Sequence, residues 1–248
     1  AIALLSRRAA PAWLVVDGPD FSQAYYEQLG RLGLRTVAFT DSLSKSDVSG
    51  PQIVVNPNLF RGQSSADREQ RTSRVLSGLD YIPLRRTFRF WLGYKRALPQ
   101  RVRRILIAMG GSDPDRLTEL ALDVLSELCE RDLEAVVVVG PYNSRADVIS
   151  EKAKVVGCSV DLISAPKDLD KLMLSSDLAL TCGGQTLWEL LFVGTPCIAV
   201  ARTALQDRVM STLEAVGSLY YAGRSDVRLP NRLRRLLVRA LGADQSER

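Results

Sequence analysis

Short, almost unbroken apolar runs alternate with stretches of helical period along most of the chain. The runs fall at 13–16, 36–39, 53–55, 105–109, 135–139, 160–163, 178–182 and 197–201, and they are rich in Val, Ile and Leu. Strands covered by helices on both faces read this way, because neither face carries a polar set. The segment after Asp113 has the other period, with Leu117, Leu120, Ala121, Val124, Leu125 and Leu128 on one stripe. A helix is likewise expected from Leu187 to Val193, another with Val209, Met210, Leu213 and Val216 turned inward, and a basic amphipathic one over 232–241. Strand–helix alternation of this kind predicts a doubly wound α/β fold. The opening residues Ile2, Leu4 and Leu5 also read as helix behind a first residue that is Ala1, which fits either a missing N-terminal piece or a trimmed start.

Near residue 100 the pattern breaks. Arg85, Arg86, Arg89, Lys95, Arg96, Arg101, Arg103 and Arg104 follow one another without an acidic residue, and Leu98-Pro99-Gln100 punctuates the run. We therefore expect a partial N-terminal α/β domain over 1–98 and a C-terminal α/β domain over 99–248. The aromatics of the run, Phe88, Phe90, Trp91 and Tyr94, fit packing between domains better than a base-stacking platform, so no nucleic-acid partner is expected.

Composition narrows the chemistry. At 248 residues, 46% hydrophobic and 25% charged, the chain has the balance of a globular protein with one or two cores. No apolar run is long enough to span a bilayer and no secretory leader is visible, so a cytoplasmic protein without a membrane span is expected. Histidine is absent altogether, which excludes a Ser-His-Asp triad, a Cys-His pair and a histidine base within these residues. Cys129, Cys158, Cys182 and Cys197 form no Cys-x-x-Cys pair and read as small buried hydrophobes. No metal and no cofactor are expected, and oligomeric state is not legible. The net charge of +5 is a mild bias that favours phosphate-bearing ligands.

Two strand-to-helix turns carry paired glycines. In Gly110-Gly111-Ser112-Asp113-Pro114, Asp113 suits an N-cap and Pro114 the first helical position. Such a turn bares backbone N–H groups toward an anion, but Asp113 and Asp115 oppose one here. Gly110 and Gly111 would then serve close backbone approach, by a ligand or by the other domain. The second turn, Cys182-Gly183-Gly184-Gln185-Thr186, contains no acid and can face a pyrophosphate. Thr186-x-x-Glu189 is a capping-box spacing, and spacing alone favours that reading over a carboxylate holding a ribose diol. Gln206, after Leu205, is either a sugar-contacting amide or a helix start.

The run from Ser175 through Thr181-Cys182-Gly183-Gly184-Gln185-Thr186-Leu187-Trp188-Glu189, then Gly194-Thr195-Pro196 and Leu205-Gln206, resembles the nucleotide-sugar-binding domain of GT-B proteins. Gly110-Gly111-Ser112-Asp113-Pro114, together with Gly78-Leu79-Asp80-Tyr81-Ile82-Pro83-Leu84-Arg85-Arg86-Thr87-Phe88, resembles one branch: the UDP-sugar hydrolases of pseudaminic acid biosynthesis and their spore-coat polysaccharide relatives. The resemblance implies a GT-B-like pair of Rossmann-type domains facing a cleft, the first incomplete. It implies release of UDP from a diacetamido-trideoxy hexose by water; a GT-B glycosyltransferase, or a nucleotide-sugar-binding protein without turnover, is the alternative. By the same resemblance Gly183, Gly184, Gln185 and Thr186 would hold the pyrophosphate, Glu189 the ribose, and Ile163 and Pro166 would lie near the uracil. Gly110, Gly111, Ser112, Asp17, Asn56, Asn58, Tyr81, Arg85 and Gln206 would line the sugar side. The family's catalytic histidine has no counterpart, its Asp-His-Tyr reads Asp17-Gly18-Pro19, and its Asn-Gln reads Leu205-Gln206, so no catalytic residue is assigned.

Overall fold

A computed structural model describes residues 13–18, 21–40, 50–58, 73–128 and 132–242. The expected opening helix at Ile2, Leu4 and Leu5, and Cys129, lie outside them. The chain divides into two compact units, 1–83 and 84–248, so the boundary falls ahead of the expected 98/99.

The first unit holds a parallel sheet in the order β1 (Leu14–Asp17), β2 (Thr36–Phe39), β3 (Ile53–Asn56), β4 (Arg74–Ser77). Helix α1 (Gln23–Arg31) covers it, and Val16, Tyr26, Leu29, Leu34 and Ala38 close a small core. β4 was not expected: Arg74-Val75-Leu76-Ser77 is a short edge strand with two apolar residues.

The second unit is larger. Its strands are β5 (Arg104–Ala108), β6 (Glu134–Val139), β7 (Ser159–Ser164), β8 (Leu178–Cys182), β9 (Cys197–Ala201) and β10 (Tyr220–Arg224). They form one parallel sheet in the order β10-β9-β8-β5-β6-β7. Numbered within the unit this is 6-5-4-1-2-3, the doubly wound order. Every residue of β8 and β9 is buried, which is why their sequences carry no polar alternation. Helices α2 (Leu117–Leu128), α3 (Ala146–Val155), α4 (Leu169–Ser175), α5 (Gln185–Phe192), α6 (Ala204–Ala215) and α7 (Leu229–Leu241) complete it. Ile105, Ile107, Leu122, Leu125, Leu180 and Ile198 sit at the centre of its core. Val216, expected inward, is 63% exposed because α6 stops at Ala215.

The boundary shifts because the basic run belongs to the second unit. Phe88 is buried and meets Phe192 edge-on, with ring centroids 6.2 Å apart. Trp91 Nε1 donates to Asp170 Oδ2 at 2.7 Å. Arg96 donates to the Leu174 carbonyl at 3.1 Å, to Thr195 Oγ1 at 3.2 Å and to the Ser176 carbonyl. Arg85 forks onto Glu189. These arginines and aromatics therefore pin residues 84–96 to α4 and α5, while Phe90 points away at 85% exposure.

The cysteines divide. Cys182 and Cys197 are free and buried, as read from the sequence, and burial pushes the Cys197 thiol up to about 12. Cys158 corrects that reading, since it is half-buried and disulfide-bonded. Spacing along the chain does not reveal which sulfurs a fold brings within bonding distance.

Candidate functional site

In a doubly wound sheet the loops leaving neighbouring strands diverge at the point where strand order reverses, opening a crevice at the carboxyl edge. Here that point lies between β5 and β8, and the two paired-glycine turns are the loops that leave those strands. They are in contact distance: a Cβ on Gly110 would stand 3.6 Å from Cys182 Sγ, and Cys182 Sγ donates to the Met109 carbonyl at 3.1 Å.

The first turn is closed by its own residues. Asp113 is buried, at a φ of 43°, and its two carboxylate oxygens accept from the N–H groups of Leu117 and Thr118, each at 2.8 Å. It caps the helix as expected, but from further upstream. Asp113-Pro114-Asp115-Arg116 forms a turn closed by Arg116 N–H on the Asp113 carbonyl, and α2 begins at Leu117 rather than Pro114. A Cβ on Gly110 or Gly111 would make only ordinary contacts, at 3.6 Å to Cys182 Sγ and 3.7 Å to Tyr142 Cδ2, and the close approach falls instead on a glycine of a neighbouring loop. A Cβ at Gly140, after β6, would fall on the carbonyl oxygens of Gly110 and Gly111, and Tyr142 N–H donates to the Gly111 carbonyl at 3.0 Å. Gly140 was not anticipated, since a lone glycine after a strand carries no pattern. Ser112 is exposed.

The second turn is open only beyond Gly183, whose N–H bonds the Val200 carbonyl at 3.3 Å and which the Gln206 side chain covers. Gly184 is the N-cap of α5 at φ 125°, a backbone state that favours glycine, and no side chain caps the helix. The expected capping box is therefore not formed: with the N-cap at Gly184, Thr186 lies inside the first turn. Gly194, at φ 70°, ends the helix, with Thr195 N–H on the Leu190 carbonyl.

Glu189 is fully buried, and the guanidinium of Arg85 takes both its oxygens, Nε donating to Oε1 at 2.6 Å and Nη2 to Oε2. That hydrogen bond, against the opposing effect of burial, holds the Arg85 guanidinium above its ordinary range. A ribose diol at this carboxylate would have to displace Arg85.

Gln206 lies in the first turn of α6. Thr203 caps α6 by accepting from Gln206 N–H at 3.2 Å, and Gln206 Oε1 accepts from Arg202 N–H at 2.8 Å. Its side chain lies over Gly183, where a Cβ would stand 2.5 Å from Gln206 Cδ. Arg202 itself reaches back to the first turn and donates from Nε to Asp115 Oδ2 at 2.9 Å. Neither Arg202 nor this pairing was foreseen, because 87 residues separate the partners. Ile163 is half-buried in edge strand β7, and Pro166 follows Ala165, whose φ is 43° and whose N–H reaches the Val139 carbonyl at 3.2 Å.

In the first unit, Asp17 is exposed at the end of β1 and Tyr81 is 40% exposed in the short 3₁₀ helix Leu79–Tyr81 after β4. Asn56 is fully buried at the end of β3; its Oδ1 accepts from Asn58 N–H at 3.0 Å, and its Nδ2 has no partner. Among the described residues no group of three potential ligands could hold a metal ion, and no helix is long and apolar enough to cross a membrane.

Parallel sheets of this order, with paired turns at the switch point, define a GT-B-type α/β protein, and solved structures carry the same fold. MurG of Acinetobacter baumannii aligns with a TM-score of 0.64 at 14% identity, over 96% of this chain and 66% of that one. Residues 105–241, more than half of the chain, match the glycosyltransferase family 28 C-terminal domain, and the chain belongs to that family. It is 30% identical over 211 residues to an uncharacterized protein of Methanocaldococcus jannaschii, covering 79% of this chain and 41% of the relative. It is 24% identical over 159 residues to the spore coat polysaccharide biosynthesis protein SpsG of Bacillus subtilis, covering 64% of this chain and 46% of the relative. The chain thus spans less than half the length of either curated relative.

Proposed function

We propose that the second unit binds the nucleotide half of a UDP-sugar and that the protein serves UDP-sugar turnover in surface-polysaccharide biosynthesis. The observation that carries this reading is the open turn at Gly183 and Gly184. It stands at the switch point, without an acid of its own and without a side-chain cap, while the neighbouring turn is filled by Asp113. An uncapped helix N-terminus stabilises the charge that develops on a leaving diphosphate.

The finer reading is hydrolytic release of UDP from a diacetamido-trideoxy hexose, supported by the motif resemblance and by the likeness to the spore-coat protein. Transfer to an acceptor hydroxyl is the second reading, and the family 28 domain match favours it. Both need a base to deprotonate the attacking oxygen, and these 248 residues contain no histidine for that role. Uridine preference rests on the resemblance and is the part most directly tested. UDP is expected to raise the melting temperature more than ADP or GDP does. At about a hundred times its dissociation constant a ligand adds roughly 2.7 kcal/mol. Equal shifts with all three nucleotides remove the uridine assignment, and no shift with any of them removes the nucleotide site.

A further inference from the structure

Resting on the nucleotide reading, we infer that Arg202 is the cation that meets the diphosphate and that Asp115 holds its place while the site is empty. The open turn presents a helix dipole, equivalent to about half a charge, toward a ligand carrying two or more negative charges. Such a site calls for a full positive charge nearby, and the topology supplies one. Arg202 directly follows β9, and Gly183 N–H bonds the carbonyl of Val200, two residues before it. Its main chain therefore runs beside the open turn. Its N–H is fixed by Gln206, the residue whose side chain covers Gly183. Its guanidinium then crosses the switch point to Asp115 on the other turn.

On the way it passes Cys182. Burial raises that thiol, and the Arg202 guanidinium beside it pulls in the opposite direction. The cation thus stands between the two glycine turns at the mouth of the crevice, with its side chain 28% exposed. Among the described residues Asp115 is the one carboxylate bonded to it, through Nε alone. Asp115 is itself 39% exposed, so exchanging it for a phosphate oxygen releases a carboxylate that water can solvate again. This also answers the charge objection to the first turn. Asp113 is spent on two backbone N–H groups and Asp115 on Arg202, so neither is left bare beside an incoming anion.

The exchange makes an unusual prediction: removing an acidic residue near the site improves binding. UDP and uridine are titrated by calorimetry into the wild-type chain, Arg202→Gln, Asp115→Asn and the double variant, with the melting temperature of each confirming the fold. Arg202→Gln is expected to weaken UDP by about tenfold or more, the loss of one charge-assisted hydrogen bond, and to leave uridine unchanged. Asp115→Asn is expected to strengthen UDP severalfold, again without effect on uridine, and the gain should vanish in the double variant. Asp115→Asn that weakens UDP or leaves it unchanged overturns the inference, as does Arg202→Gln that weakens UDP and uridine alike. If the wild-type chain binds neither compound, the nucleotide reading itself has failed. Inorganic pyrophosphate titrated into the same four proteins then decides Arg202 separately: the same ranking upholds the anion role, and a flat ranking or no binding ends it.

Discussion

The turn after β5 and the turn after β8 both leave a central parallel strand through two consecutive glycines and lead into a helix, yet they treat that helix's first N–H groups differently. After β5, Asp113 folds back with both carboxylate oxygens on Leu117 and Thr118. After β8, the N-cap is Gly184, which makes no side-chain cap, and the nearest side chain, that of Gln206, lies over Gly183. A glycine pair thus does not by itself make an anion site; the residues just beyond the pair decide whether the N-terminus is already occupied. One turn is closed by its own carboxylate, and the other begins its helix without one.

The largest effect should come from opening the closed turn. Asp113→Ala removes two hydrogen bonds to a buried carboxylate and leaves alanine at a φ of 43°, so a loss of about 3 kcal/mol is expected in chemical denaturation. Asp113→Asn keeps one acceptor and should cost about half as much. A change within about 0.5 kcal/mol, the range of ordinary surface substitutions, would show that Asp113 is not what closes this turn.

A smaller effect separates the turns by function. Gly184→Ala and Gly110→Ala each place a Cβ in the left-handed region, at φ 125° and 94°, and each should lose about 2 kcal/mol of stability. Their effect on UDP should differ. Gly184→Ala disturbs the open N-terminus and is expected to weaken UDP by about tenfold, whereas Gly110→Ala acts at the closed turn and should change UDP affinity far less. Equal losses of affinity would mean that both turns touch the nucleotide.

How much of this was legible in the sequence depends on range. β8 and β9 could be read to the residue because burial on both faces leaves a nearly unbroken apolar run, bounded by Asp177 and Gly183 in one case and by Pro196 and Arg202 in the other. β4 and β10 were missed because they carry no such run: β4 has two apolar residues between Arg74 and Ser77, and in β10 Tyr220 is 46% exposed and Gly223 falls within the strand. The caps were half legible. Asp113 was recognisable as a cap by type, but its turn conformation moved the helix start to Leu117. The box at Thr186 and Glu189 had the right spacing in the wrong frame, because the backbone at Gly184 had already begun the helix. The ion pairs were invisible, since Arg85 meets Glu189 across 104 residues and Arg202 meets Asp115 across 87. Local spacing carries caps and periods, and partners that only the folded sheet brings together leave no such trace.

The smallest predicted effect concerns Glu189, on the helix that the open turn begins. Read from spacing and resemblance, Glu189→Gln should be silent for stability, because glutamine also fits a capping box, and should weaken UDP about tenfold by removing the charge that holds ribose. The geometry supports a different expectation on each count. The carboxylate is fully buried and its two oxygens are engaged by Arg85, so the substitution trades a charge-assisted fork for a single neutral acceptor. Arg85 is itself 44% exposed and can be solvated again, which keeps the expected loss to about 1 kcal/mol, below the cost of stranding a buried charge. Arg85→Gln leaves the fully buried carboxylate without its cation and should cost about twice as much or more, and the double variant should be less destabilised than Arg85→Gln alone. UDP affinity should move by less than about threefold in Glu189→Gln, because the helix it anchors stays in place and no ribose contact is lost. Denaturation of the four proteins with a UDP titration of each reads both quantities. Unchanged stability with tenfold weaker UDP would return Glu189 to the ribose and make Arg85 the group that nucleotide binding displaces.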